Sequence, residues 1–164
     1  MQPLFFKAKR ISSFVFIETL LCISISLILF SSVFAWILVE ANQKNKYRSQ
    51  QSSRNNVNFL LSSIQEDLLY AKWGSKDFSP ANLQTSSSLG FKTFDGTSLI
   101  RFYQSGQEVG RDINMTTYNA ITDKTIRTFS IKRQDLLYYY LIIVKITDIY
   151  GNNAKKTFTS KKRL

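Results

Sequence analysis

The apolar residues of this chain fall into three regimes. From Phe14 to Val39 they run almost without a break, and the one charged side chain among them is Glu18. A helix needs roughly 20 residues to cross the hydrocarbon core of a bilayer, so residues 14–39 are predicted to form a transmembrane helix. The run is longer than the apolar part of a secretory signal, and no small-residue cleavage site follows it, which predicts that the helix is retained. Residues 40–56 are polar but contain neither glycine nor proline. Beyond them Val57, Leu61, Ile64, Leu68 and Ala71 recur at alternating spacings of four and three, the stripe of a helix with one buried face. Gly74 and Pro80 then supply a stop. The economical element is one helix from about Phe14 to Trp73, on the order of 90 Å at 1.5 Å per residue. A helix, a linker and a second helix is the alternative.

From residue 74 onward the period shortens to that of strands. Residues 90–94, 98–104, 125–133, 136–150 and 155–160 carry the aromatic and β-branched side chains that strands favour. In the longest of these, Tyr138, Tyr140, Ile142, Val144 and Ile146 share one face, and Tyr139, Leu141, Ile143 and Lys145 the other. Both faces are apolar through the middle, which predicts a central strand covered on both sides. Asp95-Gly96 and Gly151-Asn152 tolerate left-handed backbone angles and mark hairpin turns. Residues 104–124 form a long connection expected to include a short strand, and the basic tail from Thr159 is expected to be unpaired. The fold class is therefore α+β. Residues 1–13 form a short basic segment, 14–39 the membrane helix and 40–73 its continuation, and 74–164 a β-rich head whose antiparallel sheet packs on that continuation.

Charge and composition narrow the chemistry. The chain has 164 residues, 44% of them hydrophobic, enough for one modest domain plus an extension. Lys and Arg number 22 against 11 acids, a net charge of +11. Such an excess suits nucleic acid, an anionic membrane or a solvated basic surface. It is spread along the chain, so the solvated surface is preferred and nucleic acid is not the expected partner. There is no histidine, which excludes Ser-His-Asp and Cys-His catalysis. The single cysteine, Cys22, excludes an intramolecular disulfide and a cysteine zinc site. Glu66 and Asp67 are neighbours that point apart on a helix, a poor acid pair and more naturally an exposed acidic edge. No glycine-rich phosphate loop occurs. Asp148, Asn152 and Asn153 offer oxygen ligands to calcium, but the same residues make ordinary turns. Tyr138, Tyr139 and Tyr140 beside Lys132 and Arg133 could stack bases, although packing is the commoner use. No catalytic residue, metal site or cofactor is expected, and the protein is not expected to be an enzyme.

Glu18 is the residue that needs an explanation. A carboxylate deep in a bilayer costs about 2.5–3.5 kcal/mol, less near the end of the span, where it can snorkel to the headgroups. Buried, it requires a partner. The span also contains Thr19, Cys22, Ser24, Ser26, Ser31 and Ser32, and such hydroxyls bond back to their own helix or across to a neighbour. Lys7, Lys9 and Arg10 precede the span, while Lys44, Lys46, Arg48 and Arg54 follow it, so flanking charge does not fix the orientation.

The stretch "KAKRISS" followed by "FVFIETLLCISISLILF" resembles the start of a type IV prepilin or pseudopilin. The resemblance implies cleavage between Ser13 and Phe14 by a prepilin peptidase, N-methylation of Phe14, and Glu18 as the fifth residue of the mature chain. Ser13 stands where the family usually has glycine. The family also implies a partner for the acid, the terminal ammonium of a neighbouring subunit or of the same chain. In a low-dielectric helix bundle that attraction is far stronger than in water, and removing either group strands a charge. A second, less specific likeness lies in Leu61, Ile64, Asp67 and Leu68, which resemble J-type minor pseudopilins of type II secretion and the related W-type minor pilins. Together these imply a structural subunit of a type IV pilus-like or secretion filament, at its tip or initiation complex. They imply a single pass through the cytoplasmic (inner) membrane, N-terminus inside and head outside. The implied partners are other minor and major pilins or pseudopilins, the peptidase and the inner-membrane assembly platform. Two alternatives are a competence-type minor pilin with a DNA-binding head and an unrelated signal-anchored membrane protein.

Overall fold

The computed structural model describes residues 4–162 apart from 75 and 117, with side chains from Phe14 onward. The side chains of Lys7, Lys9, Arg10 and Ser13 therefore lie outside the described residues, as does the end of the basic tail. The chain is α+β. One helix, α1 (Leu4–Leu69), is followed by eight antiparallel strands. By contact the chain divides into two units, residues 1–48 and 49–164.

In the first unit every described large apolar side chain is exposed, from Phe14 (71%) to Phe30 (77%) and Val39 (54%). α1 is long and apolar enough to cross a membrane. Four of the hydroxyls are satisfied within the helix. Thr19 donates to the Phe16 carbonyl at 2.9 Å, Ser24 to Leu20 at 2.8 Å, Ser31 to Ile28 at 2.9 Å and Ser32 to Leu29 at 2.8 Å. Of the two uses open to these groups, back-bonding is the one seen. It leaves the helix surface almost free of unsatisfied donors, as a lipid-facing surface requires.

The helix is continuous where the sequence allowed a break, but its bounds differ from those expected. It begins before Phe14 and ends four residues before Trp73. The early stop has a physical cause. The last turn tightens, with Tyr70 N donating to the Asp67 carbonyl at 3.1 Å and Ala71 N to Leu68 at 3.3 Å. The strands then capture the next backbone groups. Lys72 N donates to the Lys92 carbonyl at 2.8 Å, and Phe94 N donates to the Tyr70 carbonyl at 2.7 Å. Gly74, at φ 82°, completes the reversal.

The second unit holds the rest of α1 and two sheets. The first has the order β1 (Thr85–Ser86), β6 (Ile126–Asp135), β7 (Tyr139–Asp148), β8 (Asn153–Lys161). The second has β2 (Ser88–Lys92), β3 (Leu99–Ser105), β4 (Glu108–Ile113), β5 (Asn119–Ala120). The helical stripe Val57, Leu60, Leu61, Ile64, Leu68 forms one core with Leu89, Phe91, Ile100, Phe102, Val109, Phe129, Ile131, Ile142, Val144, Ile146 and Phe158. Cross-strand registry stacks these side chains in rows. Ile131 lies opposite Val144, Ile142 opposite Phe158, and Phe91 opposite Ile100. Each such side chain contributes about 1.5–3 kcal/mol by leaving water.

Two further expectations are corrected, and one is extended. The long connection 104–124 contains the expected short strand as β4, six residues long, and adds the two-residue β5, the chain turning at Gly106 with φ 62°. The expected hairpin turns at Gly96 (φ 75°) and Gly151 (φ 84°) are present. β7 is central, between β6 and β8, but is covered on one side only. Tyr139 and Lys145 are exposed and Leu141 and Ile143 half-buried, because helix and core occupy the even-numbered face. The basic tail is not unpaired: β8 runs to Lys161, paired with Tyr139, and Lys162 N donates to the Tyr138 carbonyl at 2.8 Å.

Candidate functional site

Ser13, Phe14 and Glu18 all lie within α1, in the first unit. Phe14 and Glu18 are exposed side chains on the apolar segment. One carboxylate on a helical surface of Phe, Ile, Leu and Val is what must be matched by a positive group if that surface is surrounded by hydrocarbon or by other helices. No cation from the described part of the chain meets Glu18. The site is therefore a segment of bare helix with one charge, and its chemistry lies in what surrounds it.

In the second unit several of the polar groups that the sequence singles out are used internally. Asp67 is not an exposed edge. It receives a forked pair of bonds from Arg111 on β4, Nε to Oδ2 at 2.6 Å and Nη2 to Oδ1 at 3.0 Å. This ties α1 to the second sheet. Glu66, its neighbour, is exposed. Arg133 is buried between the rings of Phe78 and Tyr140, 4.9 and 5.5 Å from their centroids, and forks onto Asp135. Tyr140 also stacks on Trp73. One of the three adjacent tyrosines and the arginine beside them are thus packing groups, while Tyr138 and Tyr139 remain exposed.

The Asp148 turn is likewise complete. Oδ2 accepts from Ser53 Oγ and Asn152 Nδ2, both at 2.9 Å; Oδ1 accepts from the Tyr150 and Asn152 amides at 2.9 and 2.8 Å. Asn153 Oδ1 accepts from Thr147 Oγ1 at 2.7 Å. Burial would raise the Asp148 pKa, but the hydrogen bonds from Asn152, Ser53 and Tyr150 outweigh it and hold the carboxyl below its ordinary value. A cation would have to displace donors from both oxygens, so these residues fit a turn lock better than a calcium site. Among the described residues no group of three or more His, Cys, Asp or Glu is placed to hold a metal. Asp95 behaves similarly at the β2–β3 turn. Bonds from Thr93 and Thr97 lower its pKa to about 2.

Sequence reasoning missed Ser53, which lies in the polar stretch yet is fully buried. One signal was available. Ser53 stands four residues before Val57, so it continues the helical stripe backward. It also missed the partner of Asp67, since nothing local connects that residue to Arg111.

No family model matches the chain, and no curated protein and no solved structure is similar to it.

Proposed function

We propose that the chain is a minor pilin-like subunit that is inserted in the cytoplasmic membrane, trimmed between Ser13 and Phe14, methylated on Phe14 and then assembled with other pilins or pseudopilins into a filament. It carries out no reaction itself. Its work is helix packing, in which Glu18 neutralises the terminal ammonium of a neighbouring subunit. The observation that carries this is the lone carboxylate at the fifth position of an otherwise uncharged apolar run that begins at Phe14, on a helical segment whose large apolar side chains are exposed. Support also comes from the head: an amphipathic continuation of the same helix packed on antiparallel sheets. A place at the filament tip follows only from the likeness of Leu61, Ile64, Asp67 and Leu68 to J- and W-type subunits.

The test is the intact mass of the membrane-extracted protein, produced with and without an active prepilin peptidase. The expected product begins at Phe14 and carries one added methyl group. A chain that still begins at Met1 with the peptidase active would overturn the proposal and favour a plain signal-anchored protein.

A further inference from the structure

β8 is an edge strand of nine residues, and its registry with β7 shows which of its backbone groups are in use. At one end Lys162 N donates to Tyr138 O, and at the other Asp148 N donates to Asn152 O. Both pairs fit one antiparallel ladder, in which even-numbered residues of β8 exchange hydrogen bonds with β7. The amides and carbonyls of Asn153, Lys155, Thr157, Thr159 and Lys161 therefore point away from the sheet. Among the described residues no strand lies on that side.

Beneath this edge runs a groove of 350 Å³ between β8 and the end of α1. Leu68, Leu69, Trp73 and Phe158 supply its apolar lining. Leu69 is 76% exposed there and adds to the apolar wall of the groove. Gln65 closes one side by accepting a hydrogen bond from Lys156 Nζ at 2.6 Å.

Charge is arranged unevenly around the edge. The ion-paired acids have basic partners inside the head: Asp67 with Arg111, Asp112 with Arg101, Asp135 with Arg133 and Asp77 with Lys92. The outer face of the sheet carries Lys145, Lys155 and Lys161 from the odd-numbered positions of β7 and β8, and Lys132 of β6 opposite Ile143; none of them is in these pairs, and β7 and β8 place no carboxylate there. Lys145 and Lys155 stand directly opposite one another in a non-hydrogen-bonded pair, where side chains are closest. Like charges so placed are destabilising unless something negative lies over them.

We propose that the free edge of β8 and the groove beneath it receive an acidic, amphipathic, extended segment of a partner protein as an added strand. Alternate side chains of that segment would fill the groove, and the others would meet Lys155, Lys145 and Lys161. The alternating donors and acceptors of the edge match a peptide backbone, which selects a polypeptide over a nucleic acid or a lipid surface. A second copy does not fit. β8 against β8 would bring Lys155 and Lys161 of both chains onto one ladder. The same lysines that stop like chains from pairing here select an acidic chain instead. The inference is independent of the filament proposal, since it concerns the head alone and needs no processing.

The full chain in detergent is titrated with a labelled nine-residue peptide of alternating valine and glutamate, and with its valine–lysine counterpart. The glutamate peptide is expected to bind and the lysine peptide not. Amide exchange is expected to slow at Lys155, Thr157, Thr159 and Lys161, without a matching change at Lys156 and Phe158. Thr157→Pro removes one outward N–H and is expected to weaken binding about tenfold, roughly the worth of one backbone hydrogen bond. Lys155→Glu with Lys161→Glu is expected to abolish binding of the glutamate peptide and to admit the lysine peptide. It decides the matter alone if the proline variant does not fold. Failure of the glutamate peptide to bind, equal binding of both peptides, or a folded Thr157→Pro protein that binds like the parent would each overturn the proposal.

Discussion

Asp148 shows how much one buried side chain can organise. Its two oxygens collect donors from Ser53 on the helix and from the β7–β8 turn, so it joins elements 95 positions apart in sequence. Its folded-state pKa lies below the ordinary carboxylate value near 3.9. A depressed pKa means that the ionised form is favoured by folding. The contribution is complete above about pH 4 and is lost as pH falls through the folded pKa. Urea melts of the detergent-solubilised chain are expected to show a fall in midpoint below that pH. Asp148→Asn should flatten this acid limb and lower stability at pH 7 by about 2 kcal/mol, because an amide cannot accept four hydrogen bonds and leaves buried donors unmatched. An unchanged acid limb in the variant would show that other carboxylates set it.

At the level of elements, hydrophobic rhythm made most of the architecture readable. The span to Val39, the stripe from Val57 to Leu68 and the strands around Phe129, Val144 and Phe158 all follow from apolar periods of known origin. β4 did not, for a clear reason. Its inward and covered positions include Gly110, which lies beneath Tyr118, Arg111, which is paired with Asp67, and Asp112, whose Oδ2 is met by Arg101 while Oδ1 is buried without a partner. Polar residues that are satisfied by distant partners look like loop until the partners are known. The Asp67–Arg111 fork is the clearest case, and it is testable. Asp67→Ala is expected to cost about 1–2 kcal/mol, the value of charge-assisted bonds reduced by their partial exposure. Arg111→Ala should cost a similar amount, and the double variant little more than either. Additive losses in denaturant melts would show that the two residues act separately.

For the whole molecule, the sequence made the class of the fold legible but not its outer surfaces. The alternation in β8 announces a strand, yet does not say that it lies at an edge, and the apolar middle of β7 suggests two covered faces where there is one. Neighbour relations of this kind depend on topology. Single residues show the same division. Glu18 stands out in the sequence because a lone acid breaks a simple pattern. Ser53 does not, because it looks like any serine in a polar stretch.

That serine has a practical bearing on where the polypeptide can be cut. A fragment starting at Val57 would retain the whole apolar stripe, yet it would sever Ser53 from Asp148 and remove Asn56, whose amide reaches Thr125 at 3.4 Å. One starting at Ser49 retains both. Of two such soluble fragments, the longer is expected to melt several degrees higher, by about 2 kcal/mol of lost polar contacts. Equal melting temperatures would mean that the eight extra residues are dispensable ballast.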